Sequence, residues 1–191
     1  MARTSNKSVK TAEPAPKPKK PVPWGGIITG AVVVLGLGAL ILFDSPPPGV
    51  AFPSQGNFHL ADVSQQHEEY NSSPGSSGPH LGLLANWGVH EEPVPEELFI
   101  HNLEDGGVVI TYDCPDGCDD LKADLTAFVE DVGGRVLLTP YEGIEHEGVS
   151  YRAAAVAWTR VFYFDEFTDE NESEIRTFIG IYEGIDNHAG R

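Results

Sequence analysis

Residues 24–43, WGGIITGAVVVLGLGALILF, run for twenty positions without a charged side chain. At about 1.5 Å of rise per residue, a helix of that length just crosses a hydrocarbon core of roughly 30 Å. The flanks of the run are asymmetric. Arg3, Lys7, Lys10, Lys17, Lys19 and Lys20 precede it against Glu13 alone, and Asp44 and the brake Pro46-Pro47-Pro48 follow it. Basic flanks stay in the cytoplasm, so the pattern predicts a single-pass anchor in the cell membrane. The N-terminus then lies inside and everything beyond Phe43 is extracytoplasmic. A cleaved signal peptide fits less well, because the run exceeds a normal apolar core and no A-x-A-like site precedes Asp44.

The anchor also divides the charge. Beyond it stand six basic residues (Lys122, Arg135, Arg152, Arg160, Arg176 and Arg191) against 28 acidic ones, a net charge of −22. Phosphate binding needs a basic face, so nucleic acid is excluded as a partner of this portion. The acidic surface serves solubility and keeps the domain off anionic headgroups. Residues 1–23 read as a basic, Pro- and Lys-rich disordered tail, and residues 44–56 as an extended linker. Residues 57–191 are enough for one exterior domain with a single core.

Within that domain the spacing predicts an α+β fold with a small sheet and two helices. Val108 to Tyr112 is short, β-branched and preceded by glycines, as a buried strand should be. It runs into Cys114-Pro115-Asp116-Gly117-Cys118. Leu121, Leu125, Phe128, Val129 and Val132 then recur on one helical face, capped by Asp119 or Asp120 and ended by Gly133-Gly134. Val136 to Leu138 is a second strand, stopped by Pro140, and Ala153 to Phe164 a third and longer one. Asn171 with Glu174 opens a last helix whose face is Ile175, Phe178, Ile179 and Tyr182. The order is strand, CxxxC, helix, strand, strand, helix. A thioredoxin-like fold is the alternative, since its later half runs helix, strand, strand, helix and its sulfur pair sits between a strand end and a helix N-terminus. The C-x3-C spacing departs from the C-x2-C of that fold.

Seven histidines lie beyond the anchor, five of them (His59, His67, His80, His90 and His101) ahead of the cysteine pair. Imidazole with thiolate is a ligand set for copper or zinc, which would join Cys114 and Cys118 to histidines of the preceding segment. In an oxidising exterior the same two cysteines can instead form a disulfide, and one pair can alternate between both states. His146, His188 and His90 stand beside acidic residues and read as solvated. His80 and His101 differ, because each borders a tight, glycine-bounded segment without helical or strand periodicity.

Those two segments carry a family resemblance. Tyr70-Asn71-Ser72-Ser73-Pro74-Gly75-Ser76-Ser77-Gly78-Pro79-His80 resembles the YNSxPPTSGPH signature of the bacterial domain of unknown function 3105 family. His101 to Gly107, HNLEDGG, resembles its second signature, HNLEHGG. Gly56-Asn57-Phe58-His59 and Trp87-Gly88-Val89 fall in family order. The resemblance implies a short anchor and an exterior domain over roughly residues 55–190. It also implies a histidine ligand set mapping onto His59, His80 and His101. Asp105 stands where the family has histidine, which weakens a copper preference because carboxylate is the harder ligand.

No G-x-S-x-G, H-E-x-x-H or phosphate-cradling glycine loop occurs, so a hydrolase is not indicated. The expected function is metal binding, of copper or zinc, by His80, His101, Cys114 and Cys118 with support from His59 and Asp105. The alternative is a non-catalytic, disulfide-closed interaction module with a membrane-protein partner. A thiol–disulfide exchange protein is a third possibility. The topology is tested by reporter fusions: a fusion after residue 60 reads as extracytoplasmic and membrane-bound. A cytoplasmic reporter, or a mature N-terminus near residue 45, contradicts the anchor.

Overall fold

The computed structural model describes residues 46–188; the apolar run 24–43 and the basic tail lie outside the described residues. Among the described residues no helix is long and apolar enough to cross a membrane. Among the described residues ten strands and three helices follow one another. They are β1 (Val50–Ala51), β2 (His59–Leu60), β3 (His80–Leu81), β4 (Gly88–Val89) and α1 (Glu96–Glu104), then β5 (Val108–Tyr112), α2 (Asp119–Val132) and β6 (Val136–Pro140). After these come β7 (Glu145–His146), β8 (Val149–Ser150), β9 (Ala153–Ala157), β10 (Arg160–Phe164) and α3 (Asp169–Tyr182).

The α+β class stands, with a small mixed sheet in the order β1-β10-β9-β5-β6-β4. β4, β6 and β5 run parallel, and β9 and β10 return antiparallel. β5 is central and every one of its residues is buried. Its alternation therefore feeds two cores, because successive strand side chains point to opposite faces. Val108, Ile110 and Tyr112 pack with Leu125, Phe128, Ile175 and Phe178 under α2 and α3. Val109 packs on the other face with Leu137, Val156, Phe99, Ile100 and Leu103.

Four local expectations are corrected. A third helix, α1, carries His101, which the sequence placed in a loop. Pro95 opens α1, its carbonyl accepting from Leu98 N and Phe99 N, and Glu96 and Glu97 complement the first turn. Ala153–Phe164 is a hairpin rather than one strand, turning at Thr159 with φ 61°. The cap of α3 is Thr168, whose hydroxyl accepts from Asn171 N at 3.2 Å. Within the stretch read as linker, β1 adds to the sheet edge by pairing with β10.

The two signature segments lie on the α1 side of the sheet. The first is a loop folded around Tyr70, whose hydroxyl donates to Pro79 O at 2.6 Å. Ser72 bonds Ser76, Ser77 accepts from Gln55 N, and Gly75 N donates to Glu96 Oε1 at 2.6 Å. A Cβ at Gly75 would stand 2.9 Å from the Tyr70 ring. Thr159 N, in the β9–β10 turn, bonds Ser76 O at 2.9 Å, tying the loop to the sheet.

In the second signature, Asn102 staples the Ala85 backbone through both its amide nitrogen and oxygen. Gly107 accepts the Trp87 ring where a Cβ would overlap it. Gly107→Ala is accordingly expected to destabilise by about 1–3 kcal/mol, as overpacking does. Gly180→Ala, inside α3 with open space at its Cβ, is expected to stabilise by about 0.5–1 kcal/mol. Urea denaturation measures both; equal effects of the two changes would contradict the packing described here.

Candidate metal centre

β2 and β3 pair in parallel with His59 opposite His80, which places the two rings 5.0 Å apart on one side of the ribbon. The last turn of α1 brings His101 to 5.2 Å from the His59 ring and 5.1 Å from that of His80. One helical turn further, at i+3 and on the same face, stands Glu104. One atom of the set from each of His59, His80, His101 and Glu104 lies within 4.8 Å of every other.

Glu104 Oε2 is the centre of the group. It lies 3.0 Å from His80 Nε2, 3.6 Å from His101 Nδ1 and 3.7 Å from His59 Nε2. A fourth imidazole, that of His188, has its Nε2 at 3.3 Å. Glu104 Oε1 is held by Asn57 Nδ2 at 2.7 Å. Metal–ligand bonds of about 2.1 Å at tetrahedral or octahedral angles put neighbouring ligand atoms about 3.0–3.4 Å apart, close to the spacing found here. Burial is graded: the side chains of His80 and Glu104 are 0% exposed, His101 is 12% and His59 is 50%. The centre thus has a sealed floor and one open side, at His59.

The electrostatics favour a cation. Burial alone would raise the Glu104 carboxyl, but the Asn57 hydrogen bond and the His80 and His188 imidazoles outweigh it and hold it below the usual value. Glu104 is therefore anionic at neutral pH. Burial, with His80 beside it, pushes the His101 imidazole down, against the pull of Asp105 and Glu104. That keeps His101 neutral, the form that ligates. Its Nδ1 is buried without a hydrogen-bond partner among the described residues.

His80 is the most constrained of the rings, with its side chain 0% exposed. Its Nδ1 faces Gly78 O at 2.8 Å and its Nε2 faces Glu104 Oε2 at 3.0 Å, two oxygens that only accept. A neutral imidazole has one N–H, so one of its nitrogens would turn a lone pair toward an oxygen. A second ring proton, or a metal cation between Nε2 and Glu104, removes the conflict, in either case with Nδ1–H donating to the Gly78 carbonyl. Such a second bond is what orients metal-binding histidines generally.

The structure thus brings His59, His80 and His101 together and sets Asp105 beside them, grouped with His101 and His188. It leaves Cys114 and Cys118 apart. They are bonded to each other, with Cα atoms 5.5 Å apart, at the far end of β5. Roughly 16 Å of strand separates them from the end where α1 delivers His101 and Glu104. Of the histidines read as solvated, His146 stacks on Tyr163 at 5.1 Å and His90 Nε2 meets Asn86 O. His188 instead turns its Nε2 to Glu104 Oε2 at 3.3 Å. Glu104 is absent from the sequence expectations, although the H-x-x-E spacing on a helix is the signal that marks it.

The sequence profile of the family described as "Protein of unknown function (DUF3105)" matches residues 62–189, and the chain belongs to that family. The match spans His80, His101, Glu104, both cysteines and His188, and stops short of His59. No curated protein and no solved structure matches the chain.

A bridge closing so short a loop stabilises by about 2 kcal/mol in the chain-entropy account. Cys114→Ser/Cys118→Ser is expected to cost that much in urea denaturation and to change metal affinity less than twofold. A loss of metal binding in the double variant would put the cysteines back in the centre.

Proposed function

We propose that this protein is a membrane-anchored, extracytoplasmic binder of a divalent transition metal, copper(II) or zinc. His59, His80, His101 and Glu104 are its ligands. The observation that carries the proposal is the convergence of three imidazoles on the buried Glu104 carboxylate, with one ligand atom of each residue within 4.8 Å of every other. Three imidazoles and a carboxylate suit zinc and copper(II) better than copper(I), which selects soft thiolate or thioether. Among divalent ions the same donors hold copper more tightly than zinc. The run 24–43 and its basic flank support the anchor and the orientation.

A second activity, thiol–disulfide exchange, has one observation in its favour. Cys114 leaves the end of β5, Cys118 caps α2, and Cys114 lines a cavity of about 400 Å³ with Pro93, Tyr112, Pro140 and Tyr141. The strand order β6-β5-β9-β10, with α2 after β5 and α3 after β10, supports the thioredoxin-like alternative for this half of the domain. Against it, Asp119 and Asp120 crowd the first turn of α2, where negative charge disfavours a thiolate.

Metal binding is tested on the full chain in detergent, stripped of metal and titrated with Zn²⁺ or Cu²⁺ in a calorimeter. One ion per chain is expected. His59→Ala, whose ring is half exposed and whose loss spares the core, should weaken binding at least tenfold, as should Glu104→Gln. His90→Ala and His146→Ala should change it less than twofold. Because imidazoles bind metal only when deprotonated, affinity should fall on acidification. An unchanged affinity in both ligand variants, or no heat at all, contradicts the proposal.

A further inference from the structure

The last described residues fold back onto the centre. Gly184 N donates to Gly106 O at 2.7 Å, and Asn187 N to Glu104 O at 2.9 Å. Asn187 Nδ2 reaches Leu103 O at 3.3 Å and Ile185 O at 2.7 Å. The docking requires glycine at 106, whose φ is +77° and where a Cβ would sit 2.5 Å from Ile185 O. The second signature thus supplies His101 and Glu104 to the centre and, two residues on, the notch that receives the tail.

The tail ends in a histidine prepared as a ligand. His188 Nδ1 donates to Asp186 Oδ1 at 2.7 Å, and the His188 amide bonds the same oxygen at 3.0 Å. That bond commits the ring proton to Nδ1. In the neutral ring Nε2 then turns its lone pair toward two further oxygens, Glu104 Oε2 at 3.3 Å and Asp105 Oδ1 at 3.6 Å, the place a bound cation would take. The conflict is the one seen at His80, and it recurs on an element 108 positions away in the chain. Asp186 stands to His188 as Gly78 O stands to His80: an outer acceptor that fixes the tautomer and aims the free nitrogen inward. The charge balance agrees, since Glu104 and Asp105 together offset one divalent ion.

We infer that His188 is a further ligand of the same ion, and that the segment Gly184–His188 is a latch which the metal closes. This rests on the metal-binding proposal above. In the absence of the ion the tail is held by a few hydrogen bonds to the end of α1. With it, His188 joins the centre from the side of Asp105 and slows escape of the ion. By linkage, the factor by which closure of the latch raises metal affinity equals the factor by which metal favours the closed latch.

The test combines Zn²⁺ titration with amide hydrogen exchange on the full chain in detergent. In the wild type, saturating Zn²⁺ should raise protection of the Gly184 and Asn187 amides by about tenfold or more. His188→Ala should lower Zn²⁺ affinity by a similar factor and abolish the gain in protection. Asp186→Asn, which keeps the ring but weakens the acceptor, should fall between. Wild-type Zn²⁺ binding that His188→Ala leaves unchanged, with no change in tail protection, overturns the latch while the metal centre stands. Absence of Zn²⁺ binding in the wild type overturns both.

Discussion

A carboxylate with no exposure to water must be neutralised where it lies, because carrying a bare charge into a protein interior costs several kcal/mol even after relaxation. Glu104 is in that position, at the end of α1, and much of what surrounds it can be understood as compensation. One oxygen takes the Asn57 amide. The other faces four imidazole nitrogens, none farther than 3.7 Å. Protons alone could satisfy the charge, but one carboxylate does not need four titratable rings around it. A divalent ion does need several such donors, arranged at this spacing.

The two signature segments serve that arrangement jointly. Tyr70 and the serines between it and His80 build a loop rigid enough to hold His80 with zero exposure, and the edge of Trp158 from the β9–β10 turn backs the same ring at 6.3 Å. HNLEDGG folds into the last turn of α1 and the bend after it, so that ligands, staple and notch fall within seven residues. His101 and Glu104 face the centre, Asn102 and Leu103 face inward, and Gly106 and Gly107 clear space for Ile185 and Trp87. The rigidity of the sheet is what makes this precise: β5 starts directly after the bend and is buried along its whole length.

Part of this was legible in the sequence and part was not. β5, the amphipathic faces of α2 and α3, and the placement of His80 at the end of a tight loop followed from periodicity and glycine punctuation, whereas His101 lies in a helix where a loop was expected. The convergence of His59 with them came from family order. Glu104 was masked because one glutamate among 29 acidic residues carries no compositional signal, and because the nine residues of α1, followed at once by Asp-Gly-Gly, read as a loop in which the H-x-x-E spacing has no meaning. The hairpin turn hid behind Trp158-Thr159, a pair without the glycine that a positive φ usually calls for. His188 was hidden for a different reason: its role comes from a tail docking onto a distant helix end, which no local pattern encodes. The cysteines were recognised as a pair, but strand direction carries them to the opposite end of β5 from the histidines.

The central claim is that a metal is held by imidazole and carboxylate without sulfur. X-ray absorption at the zinc edge of the Zn²⁺-loaded protein tests it most directly. The account predicts a first shell of nitrogen and oxygen at about 2.0–2.1 Å, with the outer-shell scattering of several imidazole rings. A sulfur shell at about 2.3 Å would contradict it and return the ion to Cys114 and Cys118.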